Sequence, residues 1–208
     1  MIFHDVVQNT DEWLELRLGK ITASKYPIIM ANEERSFGDP AKRYALQLAL
    51  ERLTGNRAEF SFSNDHMERG HEQEPIARLL YEEQNFVEVT NGGFFDHGEW
   101  GDSPDGLVGS EGVVEIKSVI APTHYETLLR GSYDPAYRWQ LIGHLDGTER
   151  DWVDFVSYCS EFPVDKQLIV HRLYREQHEN ELKRLQVRRQ RFIEFMHGTM
   201  KLVQNMKL

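Results

Sequence analysis

Apolar residues follow a helical period over the first 85 residues and a strand-like alternation over much of residues 86–118. Helices are predicted at 10–17, from about residue 22, at 39–55 and at 65–85. In the third of these, Asp39 is expected to be the N-cap before Pro40, and Gly55 to end the helix. Strands are predicted at 86–90, 93–95, 107–108 and 113–118, with Asn91-Gly92 as a turn.

The second half of the chain returns to helices, then to strands, and ends in a long amphipathic helix. Helices are predicted at 122–130 and 137–145, strands at 151–158 and 167–174, and a last helix after them. No internal repeat or low-complexity linker divides the chain, so a single domain over residues 1–208 is expected. The order of elements predicts an α/β (α+β) fold, with a central mixed β-sheet flanked by helices and a long carboxyl-terminal helix.

The composition is ordinary for a globular protein, with 40% hydrophobic and 28% charged residues. No run of 18 apolar residues is present, so no membrane span is expected. The amino terminus lacks the basic and apolar regions of a signal peptide. The single cysteine, Cys159, excludes an internal disulfide and a metal site built from several thiolates. We therefore expect a cytoplasmic protein.

A net charge of −10 leaves two interpretations open. The protein either does not bind nucleic acid, whose phosphates require lysine and arginine, or has an acidic exterior around a local basic groove. The basic run at 183–191 in the last helix is the best candidate for contacts with a nucleic-acid backbone. The simpler interpretation of that run is a solvated helix face.

The segment 101–118 carries the strongest candidate chemistry in the chain. Glu115 and Lys117 are two residues apart in a β-branched run, so both side chains point to the same face of a strand. A short hairpin would bring Asp105 next to Glu115. Two adjacent carboxylates repel each other unless a divalent cation joins them, and oxygen ligands suit Mg²⁺. The pattern indicates phosphodiester hydrolysis, and the alternative is a solvated hairpin with its charges on the outer face.

Four further residues have a functional and a structural interpretation. Glu74, next to Pro75, is either a candidate catalytic carboxylate or a carboxylate that stabilises a helix start. Arg17 and Ser24, at consecutive helix ends, could grip a phosphate or serve as ordinary helix-end residues. Gln140 could face a ligand or bond a neighbour in the core.

Four sequence blocks occur in order along the chain, at Trp13 to Ser24, Gly70 to Glu74, Ser103 to Leu107, and Glu115 to Lys117, followed by Gln140. This order of blocks resembles the PD-(D/E)xK nucleases, and specifically the YqaJ-like viral recombinases of the lambda exonuclease family. Glu-x-Lys alone is weak evidence, whereas four blocks in order are strong evidence. The resemblance covers most of the chain and implies a restriction-endonuclease-like core.

The resemblance also implies the role of each site residue. Asp105, Glu115 and the main-chain carbonyl of Ile116 would hold one Mg²⁺, and Glu74 with Asp105 a second, with Mn²⁺ able to substitute. Lys117 would place the attacking water or stabilise developing charge. The residues implied for the terminal 5′-phosphate are Arg17, Ser24, Ser103 and Gln140. Arg138 stands where related members often have glutamine, and it is a candidate for altered DNA contacts.

The implied activity is 5′-to-3′ digestion of double-stranded DNA from its ends, releasing 5′-mononucleotides and leaving 3′ single-stranded overhangs. A homotrimeric ring and a single-strand annealing protein as partner in phage recombination are implied as well. A restriction-like or structure-specific endonuclease of the same superfamily is the first alternative. A non-catalytic DNA-end-binding protein is the second.

Overall fold

A computed structural model describes residues 1–58 and 65–206, and the side chains of this range except those of residues 65–71. Short strands and helices alternate in its first half. The elements are β1 (Ile2–His4), α1 (Asp11–Arg17), β2 (Ile21–Thr22), α2 (Tyr26–Met30), α3 (Asp39–Thr54), α4 (Asp65–Asn85), β3 (Val89–Asn91), β4 (Phe94–Asp96) and β5 (Trp100–Asp102).

The second half contains the longest strands and the longest helix. The elements are β6 (Gly106–Val108), β7 (Gly112–Ser118), α5 (Ala121–Arg130), α6 (Arg138–Thr148), β8 (Trp152–Tyr158), β9 (Leu168–Tyr174) and α7 (Glu179–Asn205). None of the helices in the described ranges is long and apolar enough to span a membrane.

Two mixed sheets organise these elements. The five-stranded sheet has the order β3-β6-β7-β8-β9, in which only β7 and β8 are parallel. The four-stranded sheet has the order β1-β4-β5-β2, in which only β5 and β2 are parallel. The predicted fold class is confirmed, but the expectation of one central sheet misses the second sheet, whose strands are only two or three residues long.

The predicted turn at Asn91-Gly92 does not make a hairpin. Strand β3 pairs with β6, whereas β4 pairs with β1 and β5, so the chain crosses between the sheets at this point. The crossing chain runs against the carbonyl of Pro104, because a Cβ at Gly92 would lie 1.7 Å from that oxygen. A glycine here therefore serves a close backbone approach. It brings the crossing chain against the segment that carries Asp105.

The five-stranded sheet packs a different hydrophobic cluster on each face. Val113 and Phe155 belong to the larger cluster, which also includes residues of α3, α6 and α7. Val114 and Ile116 belong to the smaller cluster, together with Ala77 of α4. This alternation along β7 places Glu115 and Lys117 on the face of the larger cluster.

Local signals explain several helix ends. Thr10 caps α1, where its hydroxyl accepts a hydrogen bond from the main-chain N–H of Trp13. Gly55 ends α3 in the left-handed conformation, as predicted, but the N-cap of that helix is Gly38, and Asp39 is its first residue. Helix α4 continues through Pro75 instead of starting there.

Candidate active site

Asp105 lies just before β6 and reaches across to β7. Pairing between the two strands ends at Gly106 and Val114. Beyond this point, Asp105 Oδ2 accepts a hydrogen bond of 2.6 Å from the main-chain N–H of Ile116. The side chain thus continues the strand pairing, which brings its carboxylate beside Glu115, as the hairpin prediction requires.

The main-chain carbonyl of Ile116 lies on the side of the strand that faces Asp105. In an extended strand, the N–H and C=O of one residue point to the same side. The N–H of Ile116 bonds Asp105, so its carbonyl shares that side. The two carboxylates and this carbonyl therefore lie at one end of the β6–β7 ladder.

Glu115 is 2% exposed, and three partners surround its carboxylate. Its Oε1 accepts hydrogen bonds from Lys117 Nζ and Gln140 Nε2. Its Oε2 lies 2.9 Å from His144 Nε2, an ion pair rather than an aligned hydrogen bond. Burial alone would raise the pKa of Glu115, but the charges of Lys117 and His144 lower it to about 2. Glu115 is therefore an anion at neutral pH.

The same set of charges shifts the pKa values of Lys117 and Asp105, two charged neighbours of Glu115. Burial would lower the pKa of Lys117, but Glu115 and Asp105 raise it above its ordinary value, so Lys117 remains a cation. Burial raises the pKa of Asp105 well above its ordinary value, and the charge of Glu115 adds to that effect. A carboxylate in this environment is stabilised by any nearby cation.

Asp102 and His144 form a buried pair that the sequence reasoning missed. Each is 1% exposed, and His144 Nδ1 lies 2.9 and 3.0 Å from the two oxygens of Asp102. Burial would lower the pKa of His144, but Asp102 and Glu115 raise it to about 10. His144 is therefore a cation held between two carboxylates. The available signals were its position four residues after Gln140, on the same helix face, and the place of Asp102 beside Ser103.

One cavity of about 160 Å³ joins most of the predicted site residues. It includes all four residues implied for the 5′-phosphate, two of the carboxylates and the lysine. The lining residues are Gln8, Trp13, Arg17, Thr22, Ala23, Ser24, Asp102, Ser103, Asp105, Glu115, Lys117, Gln140 and His144.

Arg17 stacks on the ring of Trp13, with its guanidinium carbon 3.9 Å from the ring centroid. Trp13 Nε1 donates a 2.7 Å hydrogen bond to Ser103 Oγ, and Ser103 Oγ donates to the carbonyl of Gly93 at 2.7 Å. The single hydroxyl proton of Ser103 is thereby used within the protein. Ser103 fixes the indole on which Arg17 rests. Ser24 Oγ lies 3.4 Å from Thr22 Oγ1 at the same cavity.

Glu74 and Arg138 do not line the cavity. Helix α4 packs on the opposite face of the five-stranded sheet from Glu115, and the charge of Glu74 contributes to the raised pKa of Asp105. Arg138 donates a 2.6 Å hydrogen bond to Glu181 of α7. The metal-binding role of Glu74 and the DNA-binding role of Arg138 stay predictions.

A scan against family models matches residues 12–151 to the YqaJ-like viral recombinase domain. The chain belongs to the YqaJ-like viral recombinase domain family. The matched range contains every predicted site residue and ends before β8, so the YqaJ match rests on the part of the fold that builds the cavity. None of the curated proteins matches the chain.

Solved structures agree with the YqaJ assignment. The chain is 33% identical to an alkaline exonuclease, LHK-Exo, from Laribacter hongkongensis, with a TM-score of 0.82, covering 94% of this chain and 96% of that one. Against LHK-Exo in complex with dAMP, the identity is 34% and the TM-score 0.84, with the same coverage. A phage related exonuclease from Haemophilus somnus 129PT, 15% identical over 87% of this chain and 96% of that one, shares the fold with a TM-score of 0.64.

The donor atoms of this YqaJ site fit a magnesium ion whose remaining coordination positions would be filled by water and substrate. Asp105, Glu115 and the carbonyl of Ile116 offer hard oxygen atoms, and proteins usually hold Mg²⁺ with one or two carboxylates together with water and phosphate. Among the described residues, no three His, Cys, Asp or Glu side chains gather closely enough to hold a metal ion. The set therefore does not form a closed cage of protein ligands.

Proposed function

We propose that this YqaJ-family protein is a metal-dependent 5′-to-3′ exonuclease that degrades double-stranded DNA from its ends. It releases 5′-mononucleotides and leaves 3′ single-stranded overhangs. The observation that carries the proposal is the single cavity in which Arg17 shares space with Asp105, Glu115 and Lys117. An anion-binding cation and an acidic hydrolytic site in one small cavity suit a substrate that presents a terminal phosphate and a nearby phosphodiester.

Similarity to LHK-Exo supports the nuclease part of the proposal. That protein is an alkaline exonuclease, and it has been solved in complex with dAMP. A 5′-mononucleotide is the product class that we propose for this chain. At 33–34% identity over nearly the whole of both chains, a related reaction is the simplest expectation.

Two Mg²⁺ ions, replaceable by Mn²⁺, are the proposed cofactors. When bound, such ions lower the pKa of coordinated water and neutralise charge on the phosphate and the leaving oxygen. Asp105, Glu115 and the Ile116 carbonyl would hold the first ion, and Glu74 with Asp105 the second. The raised pKa of Asp105 supports this set, because a carboxyl group that is buried and lies beside another carboxylate is stabilised as an anion by a bound cation.

The protein's own cations would supply direction and charge stabilisation. Arg17 would bind the 5′-phosphate of the terminal nucleotide, while the next phosphodiester lies at Asp105 and Glu115. Lys117 remains charged because its pKa is raised, so it would stabilise negative charge and orient water rather than act as a general base. The amide of Gln140 bonds Glu115 directly, and we propose that it orients that carboxylate as well.

The proposed partners follow from the family. They are double-stranded DNA ends, two further copies of this chain in a homotrimeric ring, and a single-strand annealing protein. A ring would reconcile a net charge of −10 with DNA binding if the acidic surface lay outside and the cavities inside. The expected setting is phage-type recombination in the bacterial cytoplasm.

A linear duplex tests the activity most simply. Each strand carries a different fluorophore near its 3′ end, both 5′ ends are phosphorylated, and Mg²⁺ is added. We expect both strands to shorten from their 5′ ends, with mononucleotides as the first products. A covalently closed circle of the same sequence is the control, and we expect it to stay intact. Nicking of the circle would support the endonuclease alternative, and the absence of any hydrolysis would support the end-binding alternative.

A further inference from the structure

His144 connects the two sheets at the active site. Its helix, α6, packs between β5 of the four-stranded sheet, which ends in Asp102, and β7 of the five-stranded sheet, which carries Glu115. The two ring nitrogens divide their partners, with Nδ1 toward Asp102 and Nε2 toward Glu115. One side chain thus fixes the separation of two carboxylates from different sheets.

The backbone is shaped to allow this contact. A Cβ at Gly147 would lie 2.4 Å from Asp102 Cβ, so only glycine lets β5 approach α6 this closely. Gly147 follows His144 by three residues and Gln140 by seven, so these residues share one helix face. That face supplies two of the three partners of the Glu115 carboxylate.

We propose that His144, oriented by Asp102, is a positioning residue that holds the Glu115 carboxylate in the orientation that binds a divalent cation. The inference rests on the proposed nuclease function, in which Glu115 is a metal ligand. Both ring nitrogens of His144 face protein carboxylates, so His144 would act on the ion through Glu115. It acts as outer residues do in many metal sites, where partners of the ligands fix ligand orientation.

The competing explanation is that His144 only neutralises Asp102 and stabilises the fold. Two conservative variants separate these explanations, because an amide nitrogen can replace each ring nitrogen in turn. His144→Gln keeps a donor near the position of Nε2, toward Glu115. His144→Asn keeps a donor near the position of Nδ1, toward Asp102. Both variants lose the ring charge equally, so the difference between them reports the position of the donor alone.

The measurement is the affinity of the metal-free protein for Mn²⁺ alone, titrated in the absence of DNA and followed by the paramagnetic resonance signal of free Mn²⁺. We expect His144→Ala to weaken Mn²⁺ binding by about 10- to 100-fold, the usual effect of losing an outer partner. We expect His144→Gln to bind Mn²⁺ at least about threefold more tightly than His144→Asn, because the glutamine amide can donate one hydrogen bond toward Glu115 and the asparagine amide cannot. If the alanine variant does not fold, the difference in Mn²⁺ affinity between the two amide variants still distinguishes the two explanations.

His124 offers a matched control. It is a second fully buried histidine, whose ring nitrogens lie 2.8 Å from Ser157 Oγ and from the carbonyl of Lys166, outside the cavity. We expect His124→Gln to lower the melting temperature without changing Mn²⁺ affinity. The inference is overturned if His144→Asn binds Mn²⁺ as tightly as His144→Gln, if His144→Ala matches the wild type, or if the wild type does not bind Mn²⁺. A wild type that binds Mn²⁺ but leaves linear DNA intact overturns the nuclease function instead.

Discussion

The two ends of the cavity differ in how fully the protein satisfies its own charges. At one end, the carboxylate of Glu115 has three partners, and its pKa is lowered to about 2. At the other end, Arg17 stacks on Trp13, and no Asp or Glu whose side chain the structure describes (residues 1–58 and 72–206) forms an ion pair with it. We call the group around Glu115 the organised end, because its contacts are in place before any substrate arrives. We call Arg17 and Trp13 the receptive end, because its cation stays available for a ligand.

This difference assigns separate tasks to the two ends. A carboxylate held from three sides does not need to reorganise during the reaction, which is the arrangement that favours electrostatic catalysis. The half-buried guanidinium of Arg17, which has no ion-pair partner among the side chains that the structure describes, gains from an anionic ligand, because burial penalises its charge and lowers its pKa. Substitutions at one end at a time therefore separate the two tasks.

Substitution at the organised end has the largest expected effect. Glu115→Gln removes a ligand charge and leaves Lys117 and His144 without their shared partner. We expect digestion of duplex DNA with Mg²⁺ to fall by about 1,000-fold or more. We also expect a loss of about 3–5 kcal/mol in the free energy of unfolding, as for other broken buried ion pairs. Denaturant unfolding measures the second effect, and a variant with full activity would refute the site assignment.

Substitution at the receptive end should change substrate preference more than chemistry. Arg17→Ala removes the cation proposed to bind the 5′-phosphate, so kcat/KM on 5′-phosphorylated ends should fall by about 10- to 100-fold, the value of a charge-assisted hydrogen bond. Activity on 5′-hydroxyl ends should change little. Initial rates on the two substrates give the ratio, and an unchanged ratio would contradict the assignment of Arg17.

The organised end should also make stability depend on pH. The pKa of His144 is raised from 6.5 to about 10, so its stabilising charge is fully present below about pH 6.5 and is lost as the pH rises toward 10. We expect the melting temperature of the metal-free wild type to exceed that of His144→Gln by most near pH 6.5 and by least near pH 10. A difference that grows with pH would show that the histidine is neutral in the folded protein.

Trp13→Phe is the mildest test of the receptive end. It keeps the aromatic surface under Arg17 but removes the indole N–H that bonds Ser103. We expect a loss of about 0.5–1.5 kcal/mol in stability, the value of one hydrogen bond. The preference for 5′-phosphorylated ends should weaken by a few-fold only. A loss of preference as large as that of Arg17→Ala would mean that Trp13 itself contacts the substrate.

The chemistry at the organised end was predictable because it lies in one hairpin. The alternation along β7 and the turn before β6 fix where Asp105, Glu115 and Lys117 point. At the receptive end, the helix-end positions of Arg17 and Ser24 left a phosphate site and ordinary helix-end roles both open, and only the family resemblance favoured the phosphate site. The Asp102–His144 pair depends on contacts between residues 42 positions apart, which no periodicity reveals.

The basic run of α7 shows the opposite case, in which a visible pattern has a structural use. Arg184 pairs with Glu33, Arg189 pairs with Asp146, and Arg188 donates to the carbonyls of Ile29 and Arg35. Arg188 and Arg189 are buried, and Arg184 is paired with Glu33 at the surface, so these three cations do not form a continuous unpaired stripe for a DNA backbone. Sequence shows where charges occur, but only packing shows which ones are neutralised.

A crystal structure of the protein with dAMP and Mn²⁺ tests the central claim most directly. The account predicts Mn²⁺ on the oxygens of Asp105 and Glu115, with the 5′-phosphate of the nucleotide against Arg17 and its 3′-hydroxyl toward the metal. That orientation is the one left by hydrolysis of the bond after the terminal nucleotide. A nucleotide bound in the reverse direction, or Mn²⁺ bound away from these carboxylates, would contradict it.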